Sequence, residues 1–244
     1  MRIFYYDVIK AIAIFLVCYY HFNVSYTGFK EGFIYIPNFG YIVMVLASIG
    51  VPLFFLVNGA LLLNKPFELK LHIKKIAKVY FILICWRFIT VLSLLFKFEN
   101  VDYKLTDFIN LLFISHFPNI PLNHLWFMDA LLSIYIIFPV LKFIYDSDNG
   151  NKIYQYMIGT LIIFSVVPYT FQIVTNIIEY KYSKTINLFY LFNNTNPFGT
   201  YAYSLLYFSI GGILGKLLND KKLQLNIFVC IVIFVISWFL LAFW

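Results

Sequence analysis

Seven apolar runs of about twenty residues each follow one another along this chain, and the stretches between them are too short for a separate domain. A run of that length crosses a bilayer only as a helix or as part of a closed barrel, because lipid offers nothing to an unpaired N–H or C=O group. These runs are too long for barrel strands, so helices are expected near residues 4–24, 41–63, 76–96, 124–145, 153–175, 199–218 and 224–244. The fold class that follows is all-α, a polytopic transmembrane helical bundle of about seven spans. No polar block is long enough for a separate soluble domain, so residues 1–244 read as a single integral-membrane domain. With 62% hydrophobic and 12% charged residues, the composition lies outside the soluble range.

Orientation follows from the cations. With the N-terminus cytoplasmic, Arg2, Lys10, Lys65, Lys70, Lys74, Lys75, Lys78, Lys142, Lys152, Lys216, Lys221 and Lys222 fall on the inner side. Lys30, Lys97, Lys104, Lys181 and Lys184 fall on the outer side. Twelve against five is the positive-inside bias, and the opposite topology would invert it. The net charge of +7 therefore reports topology and anionic-lipid contact rather than nucleic-acid binding. The first run reads as a retained span and not a cleaved signal, since Asp7 and Lys10 lie within it and no small-residue cleavage site follows. Cys18, Cys85 and Cys230 all lie in apolar segments without metal-ligand or disulfide spacing, and no metal site is expected. Sixteen lysines against two arginines, with abundant Ile, Phe, Tyr and Asn, point to a bacterial, AT-rich source.

Ionisable residues inside the spans carry the functional expectations, because each costs a few kcal/mol in lipid. Asp7, Lys10 and His21 share one face of the first helix, Lys10 and His21 being separated by three turns and about 20°. Asp7 and Lys10 can sit at the headgroup boundary, with Lys10 snorkelling, but that does not account for His21. The second span is interrupted by Gly50, Pro52 and Gly59, which read as a kink and a close-packing surface. Asn58 needs a hydrogen-bond partner there and is a candidate to contact substrate. His72, Lys74, Lys75 and Lys78 crowd the inner end of the third span. They serve topology or lipid contact, or hold the phosphates of a cytosolic donor. Arg87 lies mid-span and requires a counter-ion, for which Asp7 and Asp129 are the candidates. His124, Trp126 and Asp129 open the fourth span at the depth of His21 and define a possible outer pocket, although Trp126 also fits an aromatic belt. Two outer loops are expected, 97–123 with a short apolar middle at 107–115 that suits an interfacial or re-entrant lid, and a polar, turn-rich 176–197. Gly211, Gly212 and Gly215 read as a packing surface.

Taken in order, Asp7-x-x-Lys10, ten residues, His21, then Gly50 to Gly59, Lys75-x-x-Lys78, and His124-Leu125-Trp126-Phe127 with Tyr135 and Pro139 resemble the acyltransferase 3 family. These are bacterial integral-membrane acyltransferases that modify cell-surface glycans and lipid-linked sugars. The resemblance implies a multi-pass protein of the bacterial cytoplasmic membrane with acyl-coenzyme A, usually acetyl-CoA, as donor substrate and no permanently bound cofactor. It implies a glycan or lipid-linked sugar hydroxyl as acceptor, and the lipid bilayer as surroundings. His21 matches the family's essential histidine. Lys10, Lys75 and Lys78 stand where arginines are usual, and Asn58 where serine is frequent. An ammonium keeps the charge but not the planar fork of a guanidinium.

With that resemblance, the expected roles are His21 as general base oriented by Asp7 or Asp129, Asn58 or Arg87 as oxyanion donor, and Lys10, Lys75, Lys78 and Arg87 as donor contacts. His124, Trp126 and Asp129 would line the acceptor pocket. An acyl-histidine relay is the covalent alternative. Members usually have about ten spans, so a seven-span reading implies a C-terminally shortened member. A glycan-precursor transporter would also place charges along the first span, and a non-catalytic membrane partner is the third possibility.

Overall fold

The computed structural model describes residues 4–22, 39–97, 125–147, 150–182, 199, 202–220, 232 and 235–237. Every regular element of appreciable length among them is an α-helix. They are α1 (Phe4–Phe22), α2 (Phe39–Ala47), α3 (Gly50–Leu63), α4 (Leu69–Lys97), α5 (Trp126–Asp146), α6 (Gly150–Tyr182) and α7 (Ala202–Asn219). Among the described residues, four segments are long and apolar enough to cross a membrane: Phe4–His21, Val43–Leu63, Leu69–Ser93 and Trp126–Asp146. Large apolar side chains such as Phe15, Phe81, Ile136 and Phe143 are exposed on the helices. That surface would be costly in water and is what a span presents to lipid.

Contacts divide the chain into two compact units, one of Met1–Lys65 with Asp148–Trp244 and one of Pro66–Ser147. In the first, α3 is the central element, packing against α1 and α7, while α6 packs on α7 and α2 on α1. Small residues make this possible. A Cβ at Gly59 would run into the Phe208 backbone, and one at Gly211 into the Leu56 carbonyl, so α3 and α7 meet backbone to backbone. Lipid-embedded helices gain little from the hydrophobic effect on pairing, and such close approach supplies the van der Waals contact in its place. Asn64, just past the end of α3, donates from Nδ2 to the Gly212 carbonyl at 2.9 Å, and the Tyr154 hydroxyl of α6 donates to the Ser209 carbonyl of α7 at 3.0 Å. A Cβ at Gly50 would stand 2.8 Å from the Ala13 carbonyl of α1.

The proline in the second run does break the helix, but not where it sits. Pro52 has no N–H to give to the Ser48 carbonyl and its ring crowds that carbonyl, so the interruption falls one turn earlier. Turns at Ser48 and Ile49 separate α2 from α3, and the ladder resumes with the Leu53 N–H donating to Ile49 O at 3.0 Å.

The second unit is the α4–α5 pair. Buried positions recur on α4 at His72, Leu83, Arg87 and Val91, and on α5 at Leu131, Ile134, Tyr135, Phe138 and Leu141. This is the helical spacing of one packed face. His72 meets Tyr135 and Arg87 meets Asp129, a register that makes the two helices antiparallel.

Several expected boundaries move. The third expected span, α4, begins at Leu69, not near 76, because a helical ladder tolerates the lysines that a bilayer core would not, and it runs 29 residues, about 43 Å. The fifth extends from Gly150 to Tyr182 through Pro168, so the first residues of the expected 176–197 loop are helical. The expected 97–123 loop lies, beyond Lys97 itself, outside the described residues, as does nearly all of the seventh span.

Candidate active site

On the first unit, α1 runs unbroken from Phe4 to Phe22. Tyr6 and Ala13 are its buried residues, and with Ile9 and Val17 they mark the packed side. Measured around the axis from Ala13, Lys10 lies at roughly 60°, His21 at roughly 80° and Asp7 at roughly 120°. The three ionisable side chains therefore share one flank beside the packed stripe. Asp7 and Lys10 are half-buried and His21 is exposed. The His21 ring meets Tyr20 edge-on, with centroids 5.7 Å apart.

The same continuity corrects one expectation. Fourteen residues of helical rise put Asp7 about 21 Å from His21, so Asp7 does not orient the imidazole. Asp7 stands one turn from Lys10 instead, where opposite charges at i and i+3 favour each other. Lys10 is about 16 Å along the axis from His21 and does not touch it.

Asn58 is buried on α3, and its Nδ2 donates to the Phe54 carbonyl one turn back at 2.8 Å. That bond supplies the partner the carboxamide needs. It ties the amide to its own helix.

On the second unit, Arg87 is almost fully buried, and its Nη2 donates to Asp129 Oδ1 at 2.5 Å. Of the two counter-ion candidates, the structure pairs Arg87 with Asp129. The pair neutralises both charges locally, which is how such groups persist in a span. Asp129 therefore has Arg87 as its partner within the second unit. Trp126 begins α5 and is half-buried. His124 lies outside the described residues.

The basic cluster at the start of α4 separates by direction. Lys70, Lys74 and Lys78, spaced by four residues, are exposed along one stripe. Lys75 turns toward α5, where its ammonium lies 4.6 Å from the centre of the Tyr135 ring. Cations at a helix N-terminus add to the positive end of the macrodipole and gain nothing from it. The combination favours an anion at that end of α4.

His72 was expected in the charged cluster and is found in the packing. It is buried among Phe67, Tyr135 and Phe138, and its Nε2 lies 2.8 Å from the Tyr135 carbonyl. Sequence reasoning also passed over Asn64 and Lys142. Lys142 is buried on α5, ion-paired to Asp146 at 2.7 Å. The signal for His72 was present in Pro139, four residues after Tyr135, which leaves one carbonyl in α5 without its helical donor.

Bilayer-length helices, glycine-mediated packing and a part-buried ion pair between two spans define a polytopic helical membrane protein. A family model described as an acyltransferase domain matches residues 3–244, and the chain belongs to the acyltransferase 3 family. No curated protein and no solved structure matches it.

Proposed function

We propose that the chain transfers an acyl group, acetyl by the family resemblance, from cytosolic acyl-coenzyme A to a hydroxyl of a cell-surface or lipid-linked glycan, within the bacterial cytoplasmic membrane. The observation that supports this most is a family match over nearly the whole chain, with Lys10 and His21 separated by ten intervening residues on one unbroken helix. The roles below rest on that match residue by residue.

A sugar hydroxyl is a poor nucleophile at neutral pH, and a neutral imidazole is suited to take its proton as the oxygen attacks. In the proposed reaction His21 accepts the hydroxyl proton while the acceptor oxygen bonds to the thioester carbonyl carbon. The tetrahedral intermediate collapses with breakage of the C–S bond. The imidazolium returns its proton to the departing thiolate, giving the O-acyl glycan and coenzyme A. Exposure of His21 suits a group that must meet a bulky acceptor.

By the family resemblance alone, Lys10, Lys75 and Lys78 are each assigned a donor-binding role as ammonium point charges. Arg87 and Asp129 hold one another, and we assign that pair to supporting α4 and α5 rather than to the donor. Asn58 is assigned to its bond with the α3 backbone rather than to the reaction.

The direct test is the chain in lipid nanodiscs with acetyl-CoA and a lipid-linked sugar. Free coenzyme A thiol should appear in step with acylated sugar and be lost in His21→Ala. Sugar movement across sealed vesicles without thiol release would favour a transporter and sink the enzyme reading.

A further inference from the structure

Pro139 sits in the interior of α5, and a proline there has no N–H for the carbonyl four residues earlier. That carbonyl belongs to Tyr135, which is buried. A buried carbonyl without its helical donor costs free energy comparable to a lost hydrogen bond, so another donor is expected. His72 of α4 supplies it, with Nε2 at 2.8 Å. A carbonyl oxygen can only accept, so the proton is on Nε2. Phe67 and Phe138 hold the ring in place, with centroids 5.5 and 5.0 Å from it. One turn further along α4, Lys75 rests its ammonium on the ring of the same Tyr135. His72 and Lys75, at i and i+3, thus grip one residue of α5 by its backbone and by its side chain.

We propose that His72 is a positioning residue for donor binding. It replaces the N–H that Pro139 lacks, fixes Tyr135 against α4, and through the Tyr135 ring sets where the Lys75 ammonium stands for the anionic donor. This deepens the reading given above and rests on it. The aromatic face holds Lys75 by a cation–π contact, which limits the directions its flexible stem can take. Leucine at position 72 removes that donor and lets Tyr135 shift. Alanine at position 139 returns an N–H to the helix and makes His72 dispensable. The link between positions 72 and 139 is therefore specific. A histidine that touched the donor itself, or one that only filled space, would not show it.

The experiment is a binding cycle on the full chain in nanodiscs with coenzyme A as the probe. It compares the unsubstituted protein, His72→Leu, Pro139→Ala and the double variant, with donor KM and kcat for acetyl-CoA measured alongside. His72→Leu should weaken coenzyme A binding about tenfold, the scale of one lost hydrogen bond, and raise KM more than it lowers kcat. Pro139→Ala should bind within about twofold of the unsubstituted chain, and the double variant should match Pro139→Ala. Should His72→Leu fail to fold, His72→Gln, which keeps an N–H donor, takes its place and should bind normally. A double variant as weak as His72→Leu, or a His72→Leu that binds normally, overturns the positioning role and leaves the proposed function standing. No coenzyme A binding by the unsubstituted chain overturns both.

Discussion

Buried Arg87 of α4 and half-buried Asp129 of α5 form an ion pair, with Nη2 2.5 Å from Oδ1. Removing one member leaves an uncompensated charge where water is scarce, and such losses cost about 3 kcal/mol or more. Arg87→Leu and Asp129→Leu should each lower the detergent-solubilised melting temperature strongly. The double variant should recover much of the loss, since two apolar side chains leave no stranded charge. A double variant whose loss equals the sum of the single losses would show that the two residues do not depend on one another.

The α3–α7 contact predicts a position-specific response to a single methyl group. Gly59→Ala and Gly211→Ala place a Cβ against backbone that has no room to yield, at a cost of about 1–3 kcal/mol or more. Gly159→Ala, in open space on α6, should be neutral or stabilising by about 0.5–1 kcal/mol. Melting curves of the three variants check this, and equal effects at all three positions would contradict the backbone-to-backbone packing.

Lys78 is exposed near the start of α4, where the family usually has arginine. Lys78→Ala should weaken coenzyme A binding by about tenfold, as expected for one charge-assisted contact, and Lys78→Arg should strengthen it several-fold by adding a bidentate fork. Titration of the nanodisc-embedded chain distinguishes these outcomes. Unchanged affinity in Lys78→Ala would remove Lys78 from the donor site.

The charge distribution predicts a sidedness. A reporter fused after Lys222 should be cytosolic and one fused after Trp244 external. Finding both on one side would break the seven-span topology.

Much of this architecture was legible in the sequence because bilayer length and backbone satisfaction leave few alternatives. The helices around Phe4–Phe22 and Trp126–Asp146 begin and end within a few residues of expectation. Boundaries failed where polarity and helicity part company, as at Leu69, since a helix continues through lysines beyond the apolar core. Pro52 announced a break, but its effect lands on the carbonyl one turn back, at Ser48.

Site residues were legible by kind more than by partner. The need of Arg87 for a counter-ion could be read directly, but choosing Asp129 over Asp7 required the pairing of α4 with α5. His72 looked like one more cation in a basic cluster, and its bond to the carbonyl left by Pro139 is a contact across 63 positions of sequence. The proposed Asp7–His21 contact failed on helical rise alone, once α1 proved continuous.

The central claim is acyl transfer that depends on His21. Because the His21 side chain is exposed, His21→Ala should leave folding and membrane level unchanged while removing the proposed base. The measurement is mass analysis of surface and lipid-linked glycans from cells expressing the intact chain, the His21→Ala variant at equal membrane level, or vector alone. The account predicts an added acyl mass with the intact chain that is absent from the other two samples. Identical glycans in all three, or an acyl mass that persists in His21→Ala, would contradict it.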